Sequence, residues 1–268
     1  MAYFSELATC PPLQEQQAIA AFLDRETDRI DALMAKKEQL IALLQEKRTA
    51  LISHAVTKGL DPNAPMKDSG IEWLGQIPAT WTVKRLKYLF SFLNNRRIPL
   101  SATERADMDR TYPYYGASGI IDYVDDYLFD EPLILVAEDG ANLFSRSSPL
   151  AFVARDRYWV NNHAHILRPR HVPLSYWEAL LQTVQYDPWV SGSAQPKLTK
   201  ENLGSIPLPL PPHEELSAIA NYMDHVNQRL APLAEAASSA IEHLREYRSA
   251  LISAAVTGKI DVREEDAA

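Results

Sequence analysis

Apolar residues recur at alternating steps of four and three in two long stretches of the chain. This spacing places them on one face of an α-helix and is typical of helices that pack along a partner helix. We therefore expect two long helices, each with an apolar seam. The eleven positions of the first seam are Ile19, Leu23, Glu26, Ile30, Leu33, Lys37, Leu40, Leu44, Lys47, Leu51 and His54. Seven of these residues are apolar, and the other four are charged residues or histidine. All positions of the second seam are apolar or aromatic: Ile219, Met223, Val226, Leu230, Leu233, Ala237, Ala240, Leu244, Tyr247, Leu251 and Ala254.

The two stretches are copies of one element. Residues 11–62 and 211–262 align without a gap, and 21 of the 52 aligned positions are identical. A Pro-Pro pair precedes each copy and glycine follows near its end, which predicts helices over 13–58 and 211–258. About 44 helical residues extend about 66 Å, so another long helix is the expected partner. Separate packing of each helix on the central domain is the alternative, and Pro232 should kink or interrupt the second helix.

The middle of the chain has a different pattern. Residues 59–80 are rich in proline and turn residues and predict an irregular connector. Residues 81–210 contain short apolar runs that predict strands at 133–137, 150–153 and 165–167, and a short helix at 175–185. The segment 84–92 fits a strand or a helix. These elements predict one mixed α+β domain of about 130 residues.

Composition limits the class of protein. The apolar fraction of 46% is that of a folded protein, and the single cysteine, Cys10, excludes a disulfide framework. No membrane span or signal peptide is predicted, so we expect a soluble, cytoplasmic protein. The net charge of −8 opposes unspecific attraction to nucleic acid. It does not oppose a local basic face, because residues 84–97 carry five basic side chains and no acid.

Motifs for catalysis, cofactors and metals are weak. The segment Tyr186–Trp189 only partly matches a methyltransferase motif, and no phosphate-binding glycine loop is present. His163 and His165 lack a third ligand at a recognisable spacing, so hydrogen-bonding roles are favoured over zinc. The segment Glu138–Gly140 fits a turn better than a nuclease carboxylate pair, because no lysine lies nearby in sequence. We predict no catalytic residue, no cofactor site and no metal site.

Three blocks of sequence resemble the specificity subunit of type I restriction-modification systems. They are residues 11–24, 30–89 and 205–220, which cover both long helices, the connector and both edges of the middle domain. The resemblance implies that the helices are spacers that pair as an antiparallel coiled coil, and that the middle is a target-recognition domain. The fold class is then α+β, with one mixed α/β recognition domain flanked by two long helices. The domains would be 1–12 (stub), 13–58 (first helix), 59–80 (connector), 81–210 (recognition domain), 211–258 (second helix) and 259–268 (tail).

The resemblance also implies partners. The domain would read one half of a bipartite site in double-stranded DNA, without catalysis of its own. Modification (methyltransferase) subunits would carry S-adenosylmethionine, and a restriction subunit would join the complex. The chain resembles half of a subunit, since Ser5–Leu13 aligns with Ser205–His213 like the end of a missing first domain. A second copy or another half-subunit would supply the other half-site.

Polar clusters in the middle domain are the candidates for DNA contact, although ordinary solvated loops fit them equally well. They are Asn94, Asn95, Arg96, Arg97, Tyr114, Tyr115, Ser118, Asn142, Arg146, Asn161, Asn162, His163, Ser193, Gln195 and Lys197. Two other functions stay open at this stage. One is a coiled-coil adaptor whose central domain binds protein, and the other is a methyltransferase with an unrecognised cofactor loop.

Overall fold

The computed structural model describes residues 11–192 and 194–262. The α-helices in this part of the chain are α1 (Leu13–Lys58), α2 (Leu86–Leu89), α3 (Ala102–Ala106), α4 (Asn142–Ser145), α5 (Leu174–Thr183), α6 (Lys200–Ser205) and α7 (His213–Val256). The strands are β1 (Met66–Asp68), β2 (Gln76–Pro78), β3 (Thr82–Arg85), β4 (Phe90–Phe92), β5 (Tyr112–Gly116), β6 (Gly119–Val124), β7 (Phe129–Asp130), β8 (Leu133–Ala137), β9 (Ala151–Ala154), β10 (Arg157–Val160), β11 (Ala164–Pro169) and β12 (Pro207–Leu210).

The chain divides into two compact units. Of the described residues, 11–49 and 227–262 form the helical unit, and those between 50 and 226 form the sheet unit. The predicted stub, apart from its last two residues, the end of the tail and Ser193 lie outside the described residues. The prediction of two long helices and a mixed α/β domain is confirmed.

The helices of the helical unit run antiparallel. Arg248 donates from Nε to Asp31 Oδ1 at 3.0 Å, and Arg48 donates from Nε to Asn227 Oδ1 at 2.6 Å. The N-terminal half of α1 therefore lies beside the C-terminal half of α7, and the C-terminal half of α1 lies beside the N-terminal half of α7. Exposed pairs of this kind add little stability, so the seam residues must provide most of it.

The observed seam differs in phase from the predicted one. Between residues 31 and 50 the covered positions of α1 are 34, 37, 41 and 44, and between residues 231 and 250 those of α7 are 234, 237, 240, 241, 244 and 248. Four apolar or aromatic residues of the predicted seam are instead exposed: Leu33 (44%), Leu40 (45%), Leu233 (54%) and Tyr247 (57%). The reason is a stutter in the heptad pattern: the covered positions 26, 30 and 34 are separated by two successive steps of four residues, where a strict heptad would alternate four and three. A strict heptad drifts about 20° per repeat on a straight helix, and the added residue corrects that drift.

The four displaced residues share one side of the helix pair. Each precedes a covered seam residue, so each occupies the same flank of its own helix. Antiparallel copies of one element are related by an axis normal to the plane that contains both helices. A rotation about this axis exchanges the two helices but leaves each side of their common plane where it was, so equivalent residues of both helices lie on the same side of the pair. Leu33, Leu40, Leu233 and Tyr247 therefore lie exposed on the same side of the pair, here called the helix-pair face.

The interruption predicted at Pro232 does not occur. The helix α7 is assigned without a break from His213 to Val256, with Pro232 inside it. Proline removes one hydrogen bond to the preceding turn. Pro232 is exposed, so water can satisfy the freed carbonyl, while the flanking residues Leu230 and Ala234 stay partly covered.

The sheet unit contains two four-stranded sheets, with strand orders β6-β5-β10-β7 and β4-β11-β8-β9. All five residues of β8 are buried, as expected for a central strand without polar side chains. The strands predicted near 133–137, 150–153 and 165–167 and the helix near 175–185 are confirmed as β8, β9, β11 and α5. The undecided segment 84–92 combines both possibilities, since β3, α2 and β4 follow one another there.

The connector is more ordered than its composition predicts. Strands β1 and β2 pair within it, and Ile71, Leu74 and Ile77 are buried in the main core. Strand β3 then pairs antiparallel with β12, so the chain enters and leaves the sheets side by side. Next to this pair, the buried Trp81 donates from Nε1 to Glu215 Oε2 at 2.8 Å.

Candidate nucleic-acid interface

Four segments that are distant in sequence meet at one place in the sheet unit. The amide of Glu138 donates to the carbonyl of His163 at 2.9 Å, and the amide of Leu198 donates to the carbonyl of Glu138 at 2.8 Å. The amide of Gly140 donates to the carbonyl of Pro196 at 3.1 Å. A fourth segment joins through the side chain of Arg97, as described next. We call this meeting point the loop junction, and its segments are 94–97, 138–142, 161–165 and 194–198.

A buried carboxylate lies at the centre of the loop junction. Glu138 is 9% exposed, and its Oε2 accepts a hydrogen bond from Arg97 Nη1. Lys197 Nζ lies 3.4 Å from Oε1, and His165 Nδ1 lies 3.6 Å from Oε2. Burial alone would raise the pKa of Glu138. The hydrogen bond from Arg97 and the charges around the carboxylate outweigh burial, so the pKa is lowered and Glu138 is ionised at neutral pH.

His165 is held by hydrogen bonds on both ring nitrogens. Its Nε2 lies 2.7 Å from the carbonyl of Leu198, which can only accept, so Nε2 carries the proton. Asn94 Nδ2 then donates to Nδ1 at 2.8 Å, and Asn94 Oδ1 accepts from the amide of Ile166 at 2.9 Å. Burial lowers the pKa of His165, which favours this neutral ring. His165 is therefore internal, and the partly buried Asn94 uses its side-chain amide in hydrogen bonds within the fold.

Several other candidate residues also point inward. Arg97 donates to Glu138 and to the carbonyl of Ala164. Asn161, expected to be exposed, is buried, and its Oδ1 accepts from the amide of His163. Asn142 Oδ1 accepts from the amide of Ser148, which shapes the turn after β8.

The aromatic candidates belong to the core of the sheet unit. Tyr114 is buried and its hydroxyl accepts from the amide of Leu100. Tyr115 is partly buried, and its ring packs edge-on against Tyr158 at a centroid distance of 5.6 Å. Their hydrophobic area explains why aromatic residues stand in this strand.

Two arginine candidates are exposed, and their guanidinium groups make contacts outside the loop junction. The Arg96 guanidinium lies 4.5 Å from the centre of the Phe129 ring and donates to the carbonyl of Leu128. Arg146 adopts a left-handed backbone conformation with φ of 50° and donates to the carbonyl of Val184. Asn95 and Ser118 are exposed, on the 94–96 turn and between β5 and β6 respectively.

Three further candidates, His163, Gln195 and Lys197, line a cleft at the loop junction. Asn162, His163, Gln195 and Lys197 are all exposed there. The cleft has a volume of about 420 Å³ and is lined by Asp139, Gly140, Ala141, His163, Ala194, Gln195, Pro196 and Lys197. His163 Nδ1 lies 2.9 Å from both carboxylate oxygens of Asp139. The cleft therefore presents a carboxylate, an imidazole, an amide and an ammonium group, which together can donate to and accept from a base edge.

Sequence reasoning missed Glu138 and Asp139 as parts of this site. It interpreted both as a turn and noted no nearby lysine, whereas Lys197 reaches Glu138 from 59 positions away in the chain (197 minus 138). The only signal available was an acidic pair directly after a fully apolar strand. That position makes a charge expensive unless it has a partner.

The family of this chain follows from comparison with known proteins. Residues 78–243 match the family described as "Type I restriction modification DNA specificity domain". This match covers more than half of the chain. The chain belongs to this family. The expected kinship with specificity subunits is thereby confirmed.

Curated relatives agree with the specificity-domain family. A putative type I restriction enzyme specificity subunit of Haemophilus influenzae is 29% identical over 160 residues, which are 59% of this chain and 38% of that protein. A putative type I restriction enzyme MjaX specificity subunit of Methanocaldococcus jannaschii is 24% identical over 262 residues, or 94% of this chain and 59% of that protein. The chain thus spans 38% and 59% of these two relatives.

Solved structures share the fold of this specificity domain. A chain from a type I R-M system, solved in a study of complex assembly and conformational transition, superposes with a TM-score of 0.67 at 18% identity, covering 93% of this chain and 61% of that one. The S subunit from M. genitalium gives a TM-score of 0.55 at 19% identity, covering 91% and 61%. The HsdS subunit from Thermoanaerobacter tengcongensis gives 0.51 at 19%, covering 97% and 65%.

Membership in the specificity-domain family makes this chain a non-catalytic component. Its named relatives are specificity subunits, so the methyltransferase interpretation has no support. Within the described ranges, no group of three His, Cys, Asp or Glu side chains is placed to hold a metal ion. The helices of that same part of the chain include none long and apolar enough to cross a membrane.

Proposed function

We propose that this chain reads one half of a bipartite DNA site and docks the modification subunits of a type I restriction-modification complex. Membership in the DNA specificity family, together with the polar cleft at the loop junction, carries the first half of this proposal. The helix-pair face carries the second half. S-adenosylmethionine would lie on the modification subunits, and a restriction subunit would join the same complex.

The cleft has the chemistry of base recognition. Glutamine pairs with adenine N6 and N7, lysine with guanine O6 and N7, and a carboxylate accepts from cytosine N4. Gln195, Lys197 and Asp139 supply these three groups around one opening. The exposed Lys84 and Lys87, from the stretch without acids, are proposed to contact phosphates.

The helix pair suits the role of a spacer. The 46 residues of α1 extend about 69 Å. At about 3.4 Å per base pair this length corresponds to about two turns of DNA, so a coiled-coil spacer would fix the distance between two half-sites. One sheet unit would read one half-site, and a second copy or another half-subunit would read the other.

The helix-pair face suits a protein partner. Leu33, Leu40, Leu233 and Tyr247 are each at least 44% exposed on one side of the pair. Apolar side chains exposed along one side of a surface are typical of protein interaction sites. We propose that the modification subunits cover this face, which would explain why leucine occupies solvent-exposed positions of a long helix.

The DNA-reading half is tested by a methylome. The chain and its modification subunit are co-expressed in a host without DNA methylation, and modified bases are mapped by long-read sequencing. We expect methylation at a split motif, and Gln195→Ala should relax one half of it. Arg155→Ala, an exposed change outside the loop junction, is the control and should leave the motif unchanged. An assembled complex without new methylation would contradict the proposal.

The docking half is tested separately by co-purification. The double change Leu33→Glu and Leu40→Glu should abolish binding of the modification subunit while far-UV circular dichroism stays unchanged. Ala32→Glu and Gln39→Glu add the same charge at the same spacing, one residue earlier on exposed positions of α1. This control pair should retain the partner. Equal retention by both pairs would show that the partner does not bind the helix-pair face.

A further inference from the structure

We infer that Glu138 is a positioning residue for DNA recognition, holding the reading loops in the geometry that distinguishes one sequence from another. The inference rests on the proposed function. The observation that supports it is a different one: the buried carboxylate of Glu138 has partners in the three other segments of the loop junction. Glu138 itself is too enclosed to reach a base.

The contacts of Glu138 explain why it acts on several loops at once. Its backbone bonds the 161–165 segment through the carbonyl of His163 and the 194–198 segment through the amide of Leu198. Its side chain bonds Arg97 of the 94–97 segment and lies near Lys197. One residue therefore links all segments of the loop junction.

Arg97 extends this link to the residues that face solvent. In addition to Glu138, it donates from Nη1 to the carbonyls of Ala164 at 2.8 Å and Asn162 at 3.3 Å. Its Nε donates to the carbonyl of Asn94 at 3.1 Å. The buried ion pair thus fixes the backbone at Asn162, next to His163 in the cleft. Specific recognition requires such groups to be held within about 0.5 Å of their working positions.

Lys197 connects Glu138 to the cleft directly. Its side chain is 53% exposed while its ammonium lies 3.4 Å from Glu138 Oε1. Lys197 can therefore keep this contact or turn toward DNA from a defined starting point. Gln195, two residues earlier, is carried by the same segment, whose backbone bonds to Gly140 and Glu138. Loss of the carboxylate should loosen this segment, because Lys197 then loses the charge that its ammonium faces.

The decisive variant is Glu138→Gln in the full chain. Binding to a duplex with the mapped motif and to a scrambled duplex is measured by fluorescence anisotropy at several salt concentrations, and the two Kd values are compared at the same salt concentration. We expect the ratio of the two Kd values to fall by about tenfold or more, as for loss of a base contact. The scrambled-duplex Kd and its salt dependence should stay within about twofold, because phosphate contacts are not removed. Hydrogen exchange at the amides of Gly140 and Leu198 should accelerate.

The matched control is Asp122→Asn, which removes a partly buried, ion-paired carboxylate outside the loop junction, where Arg105 Nε donates to it at 2.8 Å. It should change neither the Kd ratio nor the exchange at Gly140 and Leu198. If Glu138→Gln does not fold, the double change with Arg97→Gln replaces the ion pair by a neutral amide pair and is tested in its place. An unchanged ratio, or equal weakening on both duplexes, would overturn the inference. Failure of the wild-type chain to distinguish any sequence would refute the proposed function instead, and the exchange comparison would still decide whether Glu138 holds the loops.

Discussion

Replacing Ile30 and Leu33 separately by alanine tests the packing phase of the helix pair. A strict heptad assigns both residues to the seam and predicts similar losses. The structure leaves Ile30 5% exposed and Leu33 44% exposed, although both are aliphatic and only three residues apart. Because the two helices are paired along this stretch, the difference between the two variants reports directly on which residue faces the partner helix.

The expected magnitudes follow from burial. Ile30→Ala removes a nearly fully covered side chain and leaves a cavity, which costs about 3 kcal/mol. Leu33→Ala removes a side chain that is about half in water and leaves no closed cavity, so the loss is about 1 kcal/mol. The assay is urea unfolding followed at 222 nm. With a slope of about 2 kcal/mol per molar urea, the midpoints of the two variants should differ by about 1 M.

Equal destabilisation by Ile30→Ala and Leu33→Ala would refute the observed phase and restore the strict heptad. The repeat supplies an internal control, since Leu230 and Leu233 are the equivalent residues of α7. Leu230 is partly covered and Leu233 is 54% exposed, so Leu230→Ala should again be the more damaging change.

Three further predictions concern the sheet unit. Gly59→Ala should lower the free energy of unfolding by more than about 1 kcal/mol in a urea titration, because Gly59 has φ of +81° and an added Cβ would lie 2.8 Å from Glu215 Oε1. Gly75 has φ of +63° but open space around the position of a Cβ, so Gly75→Ala should cost less in the same titration. Trp81→Phe should cost about 1–2 kcal/mol by thermal unfolding, because it keeps a ring but removes the donor to Glu215. Burial lowers the pKa of His165 below its usual 6.5, so the unfolded chain binds the proton more readily than the folded chain does. The contribution of His165 to the free energy of unfolding should therefore be complete above pH 6.5 and decrease below it, by at most about 1.4 kcal/mol per pH unit. Urea denaturation at pH 7.5 and at pH 5.5 should show a smaller decrease for His165→Gln than for the wild type.

The long-range outline of the fold could be predicted because it depends on local and repeated patterns. The copies at 11–62 and 211–262 predict two equivalent helices, and the all-apolar run Leu133–Ala137 predicts a buried strand. The face by which a helix packs is harder to predict from sequence than the presence of the helix. A shift from Leu33 to Met34 changes the covered face, and both residues are apolar, so composition alone does not choose between them.

The candidate site could be predicted only in part, because polarity does not tell which way a side chain points. Asn161 and Asn162 are adjacent and chemically identical, yet one is buried and bonds His163 while the other is exposed. The pairing of Glu138 with Lys197 depends on how the chain returns after α5, and no local pattern in the sequence contains that information.

The antiparallel pairing of β3 with β12 has a consequence for how such proteins diversify. Lys84 lies opposite Leu208, so both ends of the segment between them are tied together by one short ladder. A segment with adjacent ends can be exchanged for another of different length and sequence without moving the chain on either side. Under the proposed function, replacement of residues 86–206 as a cassette would change the DNA target in one genetic event and leave α1 and α7 in place.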